Sequence, residues 1–284
     1  MAAVFNRLLR FRDPDDKIHY GETDDLSDWK GKHIPIYSGK VPWDLSPTTE
    51  KAEVAQVLCP LPSVPLFYGI GLNYKHHIEE AGFPVPKHPV VFTKPPDALA
   101  GPFEDIHIDR RCLDMDYEGE LCVIIGKDCK NFHIGDDPLE YVLGYTVGND
   151  ISSRFWQMPP QSGHQHGYAK SFDKFGPIGP LIVSPHTKSM QTGMVDGIPD
   201  MSLRVLVNGE KRQSSRTSDL LFTLSDLLEH LSRGTTIRKG TIIMTGTPGG
   251  VAAFLDTPRW LQSGDVVEVD IEGLGTIRNK IIIE

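Results

Sequence analysis

The stretch that most restricts the fold of this 284-residue chain is Glu118-Gly119-Glu120 followed directly by Leu121-Cys122-Val123-Ile124-Ile125 and Gly126. From Tyr117 the pattern first alternates and then becomes continuously apolar, which is how a β-strand enters a core. Side chains two residues apart on a strand point to one face, so Glu118 and Glu120 project together. Two carboxylates held that close repel and raise each other's pKa unless a positive group sits between them. A solvated strand face also yields isolated acidic pairs, so the rest of the chain decides what this pair does.

The remaining pattern is strand-dominated. Leu8 to Arg12 and Lys17 to Gly21 flank the turn Asp13-Pro14-Asp15-Asp16, whose residues favour a tight reversal. Residues 1–58 read as a small N-terminal domain of hairpins, and Pro60, Pro62 and Pro65 separate it from a larger unit, residues 59–284. In that unit, Leu66 to Leu72 is expected as a strand, and Tyr74 to Ala81 as a short helix capped by Asn73 and closed by Gly82. Val142 to Val147 reads as a strand, Ile151 to Gln157 as a brief helix, and residues 158–168 as a polar loop. Leu203 to Val207 opens a hairpin at Asn208-Gly209. Leucines at 220, 221, 224, 227, 228 and 231 form a helical stripe expected to start at Ser218. Strands at Thr241 to Met244, Val266 to Ile271 and Thr276 to Ile283 complete a β-rich α+β fold with few helices.

Charge narrows the partners. Lys and Arg total 29 against 38 Asp and Glu, a net −9, which argues against non-specific nucleic-acid binding. No apolar run approaches the roughly 20 residues of a membrane span. Cys59, Cys112, Cys122 and Cys129 lack zinc-site spacing, and Cys122 reads as core. The simplest setting is cytoplasmic, although Arg7, Arg10 and Arg12 without an early acid keep a mitochondrial presequence as the alternative.

Asp150 ends the strand after Val142 and is a third candidate ligand. Three carboxylates without His or Cys suit a hard cation, Mg²⁺ or Mn²⁺, with Ca²⁺ as a substitute. His164 and His166 form an H-x-H, but no third soft ligand is in sight, and they read as loop residues near a cleft mouth.

Asp116-Tyr117-Glu118-Gly119-Glu120-Leu121 resembles the metal-binding segment of the fumarylacetoacetate hydrolase family. Gly71-Leu72-Asn73-Tyr74 with His77 and Glu80, Gly148-Asn149-Asp150-Ile151-Ser152-Ser153-Arg154 with Gln157, Lys170-Ser171-Phe172-Asp173 and Thr245-Gly246-Thr247-Pro248-Gly249-Gly250-Val251 resemble further family segments, in family order. The resemblance implies a mixed β-sandwich roll, usually homodimeric, with Mg²⁺ or Mn²⁺ held by Glu118, Glu120 and Asp150.

It also implies roles for other residues. His77 and Glu80, at i and i+3 of one helix, form a base and its orienting partner. Lys170 and Arg154 supply positive charge to a substrate carboxylate or enolate. Gln157 and the loop carrying Gly246 and Thr247 contact substrate. The expected substrate is a small 2-oxo or 1,3-dicarbonyl acid, processed through a metal-bound enolate. C–C bond hydrolysis of the acylpyruvate or fumarylacetoacetate type is placed first, with oxaloacetate keto–enol tautomerase or decarboxylase as the alternative. Gln213-Ser214-Ser215-Arg216-Thr217 and Trp156-Gln157 resemble the oxaloacetate-type branch. A non-catalytic, metal-stabilised binding protein is the remote alternative, disfavoured because a scaffold has no need of clustered charges.

Overall fold

The fold is described from a computed structural model covering residues 3–82 and 84–284, without the side chains of His77, Glu80 and Ala81. The run from Leu121 to Ile125 explains the architecture. In strand Gly119–Ile125 every residue is buried. Leu121, Val123 and Ile125 pack into one apolar cluster with Val205, Val267 and Val269. Cys122 and Ile124 face the opposite way, into a second cluster with Phe67, Ile178, Ile182 and Met244. A strand covered on both faces has no wet side to carry polar residues, so its sequence is continuous rather than alternating. Each fully buried aliphatic side chain of this kind contributes about 1.5–3 kcal/mol.

The larger sheet carries the order Ser46–Glu53, His33–Ser38, Ile18–Glu22, Arg7–Arg12, Gly176–Val183, Val142–Asn149, Gly119–Ile125, Ile242–Met244, Phe67–Gly71, Val90–Lys94. Most neighbours are antiparallel, but Ile242–Met244 pairs parallel with Phe67–Gly71, so the sheet is mixed. A second sheet, Glu210–Arg216, Ser202–Val207, Val266–Ile271, Gly275–Ile283 and Ile106–Ile108, closes over the first core cluster. Its hairpin turns at Asn208 (φ 53°) and Gly209 (φ 78°), the left-handed pair that a two-residue turn requires. Among the described residues, no helix is long and apolar enough to cross a membrane.

Gly119 makes the close approach of the two sheets possible. A Cβ at that position would lie 2.3 Å from Val205 Cγ2 and 3.0 Å from Val269 Cγ1 of the second sheet. The glycine between the two glutamates is therefore a packing requirement.

Three local expectations change. The helix starts at Lys75 with Tyr74 as its N-cap and no side-chain cap. Asn73 instead donates to Thr245 O at 2.7 Å and accepts from Phe222 N–H at 2.8 Å. Gly82 does close the helix, at φ 65°. The leucine stripe is interrupted: Thr217–Asp219 is a 3₁₀ turn, and the α-helix is Leu224–Ser232, begun by a Thr223–Asp226 capping box. Reciprocal side-chain bonds satisfy the free amides there. Ile151 to Gln157 divides into a short strand, Ser152–Ser153, and a single helical turn, Arg154–Gln157.

Candidate metal centre

Strand pairing brings the site together. Gly119 pairs with Asn149 and Glu120 with Gly148, while Cys122 pairs with Met244 on the other side. The start of one strand and the ends of two others therefore lie side by side, so Glu118, Asp150 and the 245–250 loop emerge at one edge. Glu118 itself precedes the ladder, and its N–H donates to Asn149 Oδ1 at 2.9 Å. The amide of Asp150 donates to Glu118 O at 2.8 Å.

Glu118, Glu120 and Asp150 each present an oxygen within 4.8 Å of the others, and all three are buried. Cations surround two of them. Lys170 Nζ donates to Asp150 Oδ2 at 2.6 Å, Ser152 Oγ at 2.8 Å and Glu118 Oε2 at 2.9 Å. Those three bonds use the whole donor capacity of an ammonium. Arg154 reaches Glu118 Oε1 at 2.5 Å, Asp116 Oδ2 at 2.8 Å and Gln157 Oε1 at 2.6 Å. Lys94, fully buried, donates to Asp150 Oδ1 and to the carbonyl of Phe175.

These contacts set the charge states. Burial opposes ionisation of Glu118, but the Lys170 and Arg154 cations prevail and hold its carboxyl at about 2. Glu120 moves the other way: burial, then the charges of Asp150 and Glu118, push its carboxyl well above the usual range. Burial likewise lowers the Lys94 ammonium, which Asp150 only partly offsets. Burial also works against the Lys170 cation, but the Asp150 and Glu118 carboxylates outweigh it and raise its pKa.

Among the described residues, Glu120 has no cationic side-chain partner. Its Oε2 accepts the N–H of Gly246 at 2.7 Å. A buried carboxyl without a counter-ion beside two carboxylates is the polarity that a bound hard cation satisfies, and an all-oxygen donor set matches Mg²⁺ or Mn²⁺. The residues present thus fit such an ion.

A cavity of 370 Å³ opens onto this cluster. Glu118, Arg154, Gln157, Lys170 and Thr247 form its polar wall, and Leu72, Phe92, Met158 and Phe254 are among the apolar residues opposite. Arg154, Gln157, Lys170 and Thr247, singled out in the sequence, therefore meet Glu118 in one cleft. Gly246 stands behind it, its N–H spent on Glu120. The side chains of His77 and Glu80 lie outside the described residues.

Three residues without an expected role from the sequence also hold the site. Asp116 accepts from Arg154 and from the amides of Tyr117, Ala252 and Ala253. Gln213 accepts from Gly119 N–H at 3.0 Å and donates to Thr247 Oγ1 at 2.9 Å. Lys94 is the third. Parity was the available signal: Lys94 lies two residues from buried Phe92 on one strand, and Asp116 lies two before Glu118.

A family model described as fumarylacetoacetate (FAA) hydrolase C-terminal matches residues 67–282. The fumarylacetoacetate hydrolase domain-containing protein 2 homolog of Dictyostelium discoideum is 36% identical over 259 residues, 90% of this chain and 78% of its own length. The mitochondrial oxaloacetate tautomerase fahd2 of Xenopus laevis is 36% identical over 226 residues, 80% of this chain and 68% of that protein. A crystal structure of 2-hydroxyhepta-2,4-diene-1,7-dioate isomerase from Mycobacterium marinum superposes with a TM-score of 0.80 at 29% identity, covering 98% of this chain and 99% of that one.

Proposed function

The chain belongs to the fumarylacetoacetate hydrolase family, and from that premise we propose that it is a metal-dependent enzyme that moves a proton between carbon and oxygen in a small 2-oxo acid, with oxaloacetate as the reference substrate. The observation that carries this reading is the buried carboxylate trio beside a cavity sized for a small acid. The family resemblance places hydrolysis first. The tautomerase and isomerase names of the relatives support the proton shift ahead of it.

Glu118, Glu120 and Asp150 are the proposed ligands of Mg²⁺ or Mn²⁺, with Ca²⁺ as a substitute. Bound there, the ion supplies Lewis-acid polarisation of a carbonyl oxygen. Lys170 acts first as the counter-charge that holds Glu118 and Asp150 in place. By exchanging one of its three donors for a substrate oxygen it also stabilises negative charge on that oxygen. Arg154 is anchored by Asp116, and together with Gln157 it orients the substrate carboxylate, while Thr247, its hydroxyl proton spent on Gly119 O, shapes the cavity wall. Gly246 contributes indirectly, by fixing Glu120. His77 oriented by Glu80 is the proposed base toward the carbon-bound proton, an assignment that rests on the family resemblance.

C–C hydrolysis of an acylpyruvate is the second reading, favoured by the family's name and the His77–Glu80 spacing. The protein is proposed to act as a homodimer, with residues 1–58 as its N-terminal unit. The mitochondrial name of the Xenopus relative supports the mitochondrial compartment over the cytoplasmic one.

The test is an assay of purified protein with Mn²⁺ on freshly dissolved oxaloacetate. Accelerated decay of the enol absorbance without pyruvate release is the expected result. Pyruvate release in step with enol decay would replace the tautomerase reading with decarboxylation. Cleavage of acylpyruvates with no effect on oxaloacetate would leave hydrolysis.

A further inference from the structure

A proton shift between carbon and oxygen is assisted by proton-handling groups at both atoms. The titratable residues lining the cavity, among those described, are Glu118, Arg154, His164, His166 and Lys170. Glu118 is tied to Lys170 and Arg154; Lys170 spends all three of its donors there, and Arg154 places three of its five N–H donors on Asp116, Glu118 and Gln157. His164 is exposed at the mouth. His166 alone is both half-buried and uncommitted: neither ring nitrogen has a hydrogen-bond partner among the described residues.

His166 also faces the charged cluster. Its ring lies 6.3 Å from that of Phe92, at 48°. The Lys170 ammonium stands 4.8 Å from the centroid of the same ring. Burial, and then the charge of Lys170, lower the pKa of His166, with Arg154 adding to that effect and Glu118 and Asp150 opposing it. The imidazole is therefore neutral at pH 7, able to give a proton from one nitrogen or take one at the other. His166 thus lines the cavity with neither ring nitrogen bonded among the described residues.

We propose that His166 is the second acid–base residue of this site, exchanging a proton with the oxygen of a 2-oxo acid held in the cavity beneath the 158–167 loop. The assignment rests on the functional reading above. In the keto-to-enol direction, the carbon–hydrogen pair at C3 becomes the C2–C3 double bond and the carbonyl π pair moves to oxygen. The helix-borne base takes the carbon proton and His166 delivers one to the oxygen. Solvent at the cavity mouth resets both groups, so no oxidant or further reactant is needed.

The test uses the full chain with Mn²⁺ and oxaloacetate, following enol decay. H166Q is expected to lower kcat about 100-fold, the scale of one general acid–base group, with a smaller change in KM and Mn²⁺ affinity retained by EPR. Added imidazole is expected to restore turnover to H166A, and Q165A, an exposed neighbour in the same loop, is expected to keep the wild-type rate. A folded H166Q with wild-type kcat overturns the assignment, and so does H166A turnover that imidazole leaves unchanged. Wild-type protein that turns over neither oxaloacetate nor an acylpyruvate overturns the functional reading and this assignment with it, an outcome read before any variant is made.

Discussion

Lys170 holds Asp150 through a 2.6 Å contact between its ammonium and Oδ2, while the other carboxylate oxygen, Oδ1, is held by Lys94. One aspartate at the end of a strand is thus clamped between two buried lysines, and its orientation is fixed before any ligand arrives. Removing Lys170 leaves Glu118 and Asp150 closer to unscreened repulsion, which a divalent cation relieves. Lys170→Met is expected to lower kcat by about 100- to 1000-fold, the usual loss for a charge-stabilising group. It is also expected to enlarge the rise in Tm on adding Mn²⁺. A smaller Mn²⁺ shift than wild type, measured by scanning fluorimetry, would show that Lys170 does not compete for the carboxylates.

Glu120 makes the complementary prediction. It is the one carboxylate of the trio without a cationic partner among the described residues, so its ionisation depends most on a bound ion. A ligand at 100 times its Kd stabilises the folded state by about 2.7 kcal/mol. For a domain of this size that is a rise of several degrees in Tm, and chelation by EDTA should remove it. Glu120→Gln is expected to abolish the Mn²⁺ shift while leaving the metal-free Tm equal or higher, because the amide removes the cost of burying a carboxyl beside two carboxylates. A full Mn²⁺ shift in that variant would remove Glu120 from the ligand set.

Much of this site was legible because strand parity and strand ends are written locally. Glu118 and Glu120 share a face by spacing, and Asp150 follows an apolar run. The partners of Asp150 were not legible in that way. Lys94 lies 56 residues away in the chain and is brought to Asp150 only by the sheet. Gln213 reaches Gly119 across 94 residues from the second sheet. The fold was read in the same manner: buried strands declared themselves by apolar runs. The helix start at Thr223 was missed because a capping box depends on a backbone turn that the leucine stripe does not encode.

Lys94 itself is open to test by stability. Breaking a buried ion pair by removing one partner costs about 3–5 kcal/mol, because the remaining charge is stranded. Asp150 keeps Lys170 on Oδ2, so Lys94→Met is expected to lose less than that in urea unfolding of the metal-free protein. Asp150→Asn in the Lys94→Met background should recover part of it, since the oxygen that lost Lys94 then carries no charge. Equal losses that simply add in the double variant would show that the two residues do not interact.

His166 gives the pH dependence a sign. Its folded pKa is lowered, by burial first and by Lys170 second, while the unfolded imidazole titrates near 6.5. Above about pH 6.5 both states are neutral at this residue and it contributes no slope. As pH falls below that, the unfolded chain takes up a proton that the folded one refuses, and stability declines until the folded pKa is reached. NMR titration of the ring is expected to give a midpoint under 6.5, and H166Q should flatten that part of the stability curve. A midpoint above 6.5 would place the ring in a different environment from the one described.

Gly119 tests the fold and the site together. A methyl group there would meet Val205 Cγ2 at 2.3 Å and Val269 Cγ1 at 3.0 Å, both buried side chains of the second sheet with little room to retreat. Overpacking of this kind costs about 1–3 kcal/mol. The same residue donates its N–H to Gln213 and accepts the Thr247 hydroxyl at 3.0 Å. A shift of the strand to relieve the clash would therefore move Glu118, Glu120 and the Thr247 loop as one. Gly119→Ala is expected to lower stability by that amount and to weaken Mn²⁺ binding and turnover in parallel. Val205→Ala, which empties the space the methyl would fill, should restore both in the double variant. If stability returns without the metal affinity, the packing of the two sheets and the geometry of the carboxylates are independent, and the glycine between the glutamates serves the fold alone.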